Sequence, residues 1–292
     1  MDQDFLPALP IGDWFAALVT WVSDNLGGLL SLIGFVLDDL LYEHLSDLLT
    51  AIPPLIMALA LGLLGFFVRG WKFGLGSLIG MLAIQAMRWW PESMDTLALV
   101  LIAAFFATIF AIPIGIAAAR NSQVSGVVRP IMDFMQTMPA FVYLIPTLFF
   151  FGIGATPGIV ATIIFAMAPG VRLTELGIRQ VDPEMVEAGH AFGAPPKQIL
   201  FRIQIPLAMP TIMAGINQVI MLSLSMVVIA GIVGAGGLGG AVYSGITRLD
   251  IAKGFSAGVG VVILAVYLDR LTAALGSRSA VAKATKKTAP AH

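Results

Sequence analysis

Apolar positions in this chain come in long uninterrupted blocks rather than in stripes. Residues 96–119, 134–171 and 203–247 contain no Asp, Glu, Lys or Arg. The first block alone is 24 residues, about 36 Å of helix at ~1.5 Å per residue. A hydrocarbon core is about 30 Å thick, so that block can cross it. A soluble helical core would need a polar residue at every third or fourth position for a wet face, and these blocks lack one. The pattern predicts an all-α, polytopic transmembrane bundle with seven spans near 50–68, 72–90, 95–119, 134–153, 156–172, 207–233 and 253–274. Pro113, Pro139, Pro146 and Pro169 fall in or beside these spans, where neighbouring helices can satisfy the freed carbonyls. Gly76 and Gly80 form a small pair four residues apart that would allow close helix approach.

Residues 1–48 read differently. They hold eight acidic residues and no Lys or Arg. Trp14, Phe15, Leu18, Val19 and Trp21 recur at helical spacing, but Asp38, Asp39 and Glu43 interrupt the apolar run at 26–37. This predicts an acidic amphipathic helix on the membrane or against the bundle rather than a span. Three parts follow: the amphipathic segment 1–48, a transmembrane domain 49–275 with a hydrophilic loop at 173–206, and a basic tail 276–292.

Composition supports the membrane reading. The chain is 58% hydrophobic and 11% charged, against about 25% charged for soluble domains. A net charge of −1 gives no reason to expect nucleic acid as a partner. The absence of cysteine excludes disulfides and thiol chemistry. His44, His190 and His292 are too scattered for a metal site, and no cofactor is expected. Asp2, Asp4 and Asp13 stand where a signal peptide would be basic. Trp89 and Trp90 read as interfacial anchors.

Charge also predicts orientation, because Lys and Arg accumulate in cytoplasmic loops. Arg69, Lys72, Arg120, Arg129, Arg172, Arg179, Lys197, Arg202, Arg270 and the tail residues Arg278, Lys283, Lys286 and Lys287 fall on one side, 13 in all. Only Arg88, Arg248 and Lys253 fall on the other. With seven spans, the C-terminus is then cytoplasmic and the N-terminus outside.

One internal hydrophilic segment is long, at 172–204. Residues 183–191 (PEMVEAGHA) predict a short helix with proline at its start. Gly193 can supply a turn, and 195–200 a second short helix leading to Pro206. The segment has no metal ligand set and no nucleophile paired with a base. Such a rigid helical protrusion on the inner face is a docking element.

Glu187, Ala188, Gly189, Gly193, Ile203 and Pro206 occur at the spacing of a signature loop, and here the chain resembles the permease subunits of bacterial ABC importers. Gly189 departs from the alanine common at that place. The runs MQTMPAFVYLIP at 135–146, GINQ at 215–218, SLSMVVIA at 223–230 and VGAGGLG at 233–239 are similar to the glycine betaine/proline/choline branch of that family. The similarity covers about residues 50–275. It implies the type I ABC importer permease fold, in which the 183–202 loop is a coupling helix seated on an ATPase subunit. The implied partners are two cytoplasmic ATPase subunits, an extracytoplasmic substrate-binding protein, a second permease copy and membrane lipid. The chain ends at His292 after a short tail, so the binding protein is expected as a separate chain.

Candidate pathway residues are Gln136, Tyr143, Asn217, Met221 and Ser225, the last three on one helical face at i, i+4 and i+8. Gly234, Gly236, Gly237 and Gly239 match a dinucleotide-binding spacing, but an apolar helix precedes them where that fingerprint needs a strand. They are expected to form a flexible external gate loop instead. No phosphate-binding GxxxxGK[ST] occurs, so ATP hydrolysis belongs to another subunit. The rival reading is an ion-coupled secondary transporter of a similar solute. Such proteins place ionisable groups or broken helices at mid-membrane, and no carboxylate is expected there. An intramembrane enzyme lacks a catalytic cluster.

Overall fold

In the computed structural model residues 10–277 are described, and among them the chain forms helices with no strand. Eleven helices follow in order: α1 Ile11–Ala51, α2 Pro54–Arg69, α3 Trp71–Ala86, α4 Trp90–Arg120, α5 Ser122–Thr137, α6 Ala140–Phe151, α7 Ala155–Arg179, α8 Pro183–Ala191, α9 Pro196–Val233, α10 Gly237–Thr247 and α11 Ile251–Ser277. Five of them (α1, α4, α7, α9, α11) are long and apolar enough to cross a membrane, and the bent pair α5–α6 makes a sixth.

That differs from the seven spans expected, in three places. First, α1 runs 41 residues through the acidic stretch that the sequence predicted would interrupt it. The acids do not end the helix: a neighbour receives Asp38, while Asp39 and Glu43 stay exposed. Asp38 accepts a hydrogen bond from Thr156 (3.0 Å), and Ser46 donates to Asp95. A π-type stretch, Val36–Glu43, carries the helix past this point. Second, α2 and α3 have 16 residues each, about 24 Å, short of the ~30 Å core. Third, the span expected at 134–153 is broken by a 98° bend. Pro139 is the cause: it drives Met138 into extended backbone (ψ 132°), which no α-helix continues through. Pro113, Pro146 and Pro169 do sit inside helices, as expected.

The contacts of α1 fix its direction in the bundle. Ser46 lies at the start of α4 and Asp38 at the start of α7, whereas Ile33 and Val36 share a groove with Phe106, Phe110, Ile163 and Met167 farther along both helices. So α1 runs antiparallel to α4 and α7. Its N-terminal end points to the end of the bundle where α4 and α7 finish, and α11 also finishes there. The charge count assumed no crossing before residue 50, whereas α1 is long and apolar enough for one. Residues 1–9 and the basic tail from Arg278 lie outside the described residues.

α7 is the centre. Its buried residues include Ile159, Ala166, Ala168 and Val171, with α4 on one side and α9 on the other. Gly170 permits this approach, since a Cβ there would stand 2.8 Å from the Ala111 Cβ of α4 and 3.0 Å from Val219 of α9. The expected Gly76–Gly80 pair is only half used. Gly80 meets Ile263 of α11, while Gly76 has nothing within 4 Å, and the α2–α3 contact is made by Gly74 against Phe66 and Gly62.

Candidate functional site

At the end of the bundle where α7 stops, α8 and the start of α9 form the expected protrusion. Asp182 caps α8 by accepting from the Glu184 backbone N–H (3.0 Å), and Pro183 follows at the first helical position. Gly189 is buried: a Cβ there would stand 2.9 Å from Ile203 Cδ1 and 3.3 Å from Ile199 Cγ1. The glycine therefore seats α8 flush on Ile199 and Ile203, and Ala would need only the tip of Ile203 to move. Gly193 takes φ +74°, a left-handed turn that glycine adopts without strain. The π-type turn Leu200–Gln204 comes just before Pro206, whose missing N–H cannot continue the α-helical ladder. Glu187, Ala188, His190, Lys197 and Arg202 are exposed. Beside them stand Met185, Phe201 and Phe192, the last 91% exposed. A ring in the open on a rigid, mixed-charge helical knob marks an interaction surface.

A second feature was not anticipated from sequence. α7 continues to Arg179, so Arg172 and Glu175 are helical residues rather than loop charges. Glu175 is 2% exposed and accepts from Ser125 (2.7 Å), from Arg129 (2.9 Å) and from Arg179 (2.9 Å). One turn away, Arg172 pairs with Asp133 and donates to Gln136 (3.0 Å). α5 is thus stitched to α7 along Ser125, Arg129, Asp133 and Gln136. Their i, i+4, i+8, i+11 spacing, opposite 172, 175 and 179, was a readable signal. Glu175 lies in the last turns of α7, and Asp269 lies within α11 as well.

The pathway candidates do not form one cluster. Asn217 donates to Asp269 (3.0 Å) and accepts from Thr272, so it staples α9 to α11. Tyr143 is buried, donates to the Met135 carbonyl and packs against Phe165 at 5.8 Å. Gln136 is held by Arg172. Met221 and Ser225 are exposed, and with Ala214 and Gln218 they make one stripe along α9 at spacings of four, three and four. Ile216 and Ile220 face an apolar groove elsewhere on the same helix. A stripe carrying Gln218 is poorly suited to lipid, where polar groups lack partners, whereas the Ser225 hydroxyl already donates to the Met221 carbonyl (3.1 Å). Gln218 belongs with the candidates on this ground.

The glycine loop is closely packed. Ala235, Leu238 and Gly239 are buried. The Leu238 N–H is capped by the Thr96 hydroxyl of α4 (2.8 Å), and Gly234, Gly236 and Gly237 take positive φ. A Cβ on Gly239 would lie 2.1 Å from the Val227 carbonyl oxygen, and one on Gly231 2.3 Å from the Gly239 carbonyl carbon. The glycines here serve backbone-to-backbone packing. The loop sits at the end opposite the protrusion, beside the start of α4.

Among the described residues no group of three His, Asp or Glu side chains could hold a metal ion. His44 bonds its ring to the Asp39 carbonyl (2.7 Å), His190 is exposed, and His292 lies outside the described residues.

Residues 111–281 match the family described as the binding-protein-dependent transport system inner membrane component. This chain belongs to that family. It is 45% identical over 271 residues to the glycine betaine/proline betaine transport system permease protein ProW of Escherichia coli, covering 93% of this chain and 76% of that protein. It is 44% identical over 273 residues to the glycine betaine transport system permease protein OpuAB of Bacillus subtilis, covering 92% and 95%. Among solved structures it is similar to the MetNI methionine ABC transporter in an inward-facing conformation, with a TM-score of 0.54 at 26% identity over 65% of this chain and 92% of that one. The permease is therefore a membrane-embedded transport subunit with the type I ABC importer fold, not itself an enzyme. Membership implies an ATPase and a substrate-binding protein as partners.

Proposed function

We propose that this permease forms the translocation pathway for a small quaternary-ammonium osmolyte, of the glycine betaine, choline or proline type, in an ATP-driven importer. The observation that carries the proposal is its similarity over nearly its whole length to OpuAB, whose name gives glycine betaine as the solute. The protrusion at 183–206 would be the handle gripped by the ATPase, with Glu187, Ala188 and Phe192 on its contact face. The termini would both be cytoplasmic, on the side of that handle. Two copies would pair across the α9 stripe, so that Gln218, Met221 and Ser225 of each line a shared path.

In this reading ATP binding draws the two ATPases together and moves the paired protrusions. The helices then reorient, exposing the cavity to a loaded binding protein. The ATPase can shift that equilibrium only through contacts that differ between the two states. An ion-coupled carrier is disfavoured by the family assignment.

The test is uptake in proteoliposomes carrying the permease, its co-encoded ATPase and its binding protein. Glycine betaine uptake is expected to require ATP inside the ATPase compartment and to ignore ionophores. Glycine betaine at about 1,000-fold over its Kd should also stabilise the binding protein by about 4 kcal/mol. Ionophore-sensitive uptake without ATP would overturn the mechanism. Absence of any thermal shift with quaternary-ammonium solutes would overturn the solute class.

A further inference from the structure

The α2–α3 hairpin turns at Gly70, which takes φ +97°, at the end of the bundle where α11 finishes. Its tip is basic. Arg69 and Lys72 flank the turn, and Arg69 donates to the Arg270 carbonyl of α11 (3.4 Å), so a third cation stands close by. α2 and α3 contain no Asp or Glu. On α11 Asp269 is already engaged by Arg270 (3.6 Å) and by Asn217 (3.0 Å). Among the described residues neither Arg69 nor Lys72 pairs with a carboxylate. The Arg69 guanidinium lies over the Phe73 ring at 6.0 Å, and the Lys72 ammonium over the Trp71 ring at 5.8 Å.

From Lys72 a groove of about 200 Å³ runs between α3 and α11. Two contacts bound it: Gly80 meets Ile263, and Phe73 stacks on Tyr267 at 6.0 Å. Between them Gly76 is exposed, with nothing within 4 Å of its would-be Cβ. The missing side chain leaves the groove open, and Met81, Ile263 and Val266 make its wall apolar. The outer faces of the hairpin are apolar too, with Leu63, Phe66, Trp71, Leu75 and Ile79 exposed. In a membrane-embedded permease such faces meet acyl chains. Each helix has 16 residues, about 24 Å against a ~30 Å core. A hairpin this short keeps its basic tip at headgroup depth, where long cationic side chains snorkel to the phosphates.

We propose that this is a binding site for one anionic phospholipid, with its phosphate at Arg69 and Lys72 and an acyl chain in the groove beside Gly76. A basic mouth over an apolar groove between membrane helices complements that molecule. A free phosphate would leave the groove empty. The bound lipid completes the packing of α3 on α11 and so holds the hairpin to the bundle. The site lies apart from the α9 stripe and does not depend on which solute is carried.

The test uses the permease purified with its ATPase and stripped of lipid. It is titrated with phosphatidylglycerol or with phosphatidylcholine of the same chains, and bound lipid is counted by native mass spectrometry. One phosphatidylglycerol per permease should bind roughly tenfold or more tightly than phosphatidylcholine and should raise the melting temperature. Arg69→Gln with Lys72→Gln should erase that preference. Gly76→Leu occupies open space at a helical position, so it should fold as the wild type does while excluding the lipid. Its melting temperature without lipid, no lower than that of the wild type, separates a filled groove from a folding defect. Arg248→Gln, at the other end of α11, should bind as the wild type does. Equal affinity for the two lipids, competition by inorganic phosphate, or undiminished phosphatidylglycerol binding in either site variant would overturn the proposal. So would a Gly76→Leu complex that keeps its lipid but changes its number of permease copies, which would give the groove to a second copy. Each of these results would leave the importer reading intact.

Discussion

Replacing Gly239 by valine is expected to destabilise the permease by about 3 kcal/mol or more, at the upper end of overpacking effects. A Cβ at this position would stand 2.1 Å from the Val227 carbonyl oxygen and 2.9 Å from its carbon, both backbone atoms that no rotamer change can move. Relief requires α10 to lift off α9, which would also pull the Leu238 N–H from the Thr96 hydroxyl. The neighbouring Gly240 has nothing within 4 Å of its would-be Cβ, so Gly240→Ala is the matched control. Thermal unfolding of the purified chain should show a large drop for the first and almost none for the second. Equal melting temperatures would mean the loop is as pliable as its glycine content first suggested.

The second large effect is expected at Glu175. Its carboxylate is buried and takes hydrogen bonds from Ser125, Arg129 and Arg179. Glu175→Ala would leave two guanidinium groups facing an empty site. Breaking a buried pair from one side costs about 3–5 kcal/mol. The low end applies here, because Arg129 is 53% and Arg179 34% exposed and both can regain water. Glu175→Gln keeps an acceptor for Ser125 and should lose less. Since this network stitches α5 to α7, the alanine variant should also make the α5–α6 elbow more accessible to protease. Unchanged melting and proteolysis would show the ladder to be dispensable.

Much of this was legible in the sequence, because lipid imposes strong rules. Long charge-free blocks gave α4, α7 and α9, and the punctuation of Pro183, Gly193 and Pro206 gave the protrusion. What the sequence could not convey was which polar residues find partners across the bundle. Asp38 looks like the end of a span until Thr156 is known to stand opposite. Arg172 and Glu175 look like loop charges until α5 is folded back along α7. Asn217 looks like a pathway residue until Asp269 and Thr272 are seen to take both ends of its amide. The packing of the glycine run was hidden for the opposite reason. Glycines signal flexibility when nothing is near them, and only the crossing of α9 with α10 reveals that backbone fills the space their side chains vacate.

The central claim is that the knob at 183–206 is held by an ATPase on the cytoplasmic side. Ala188 is exposed on that knob beside Glu187, and Ala188→Cys would be the sole thiol in the chain. In membranes from cells expressing the whole importer, a short bifunctional reagent should link Cys at this position to the ATPase. A membrane-impermeant maleimide added to intact cells should fail to label it. Labelling from outside, or linkage to no nucleotide-hydrolysing partner, would contradict the account.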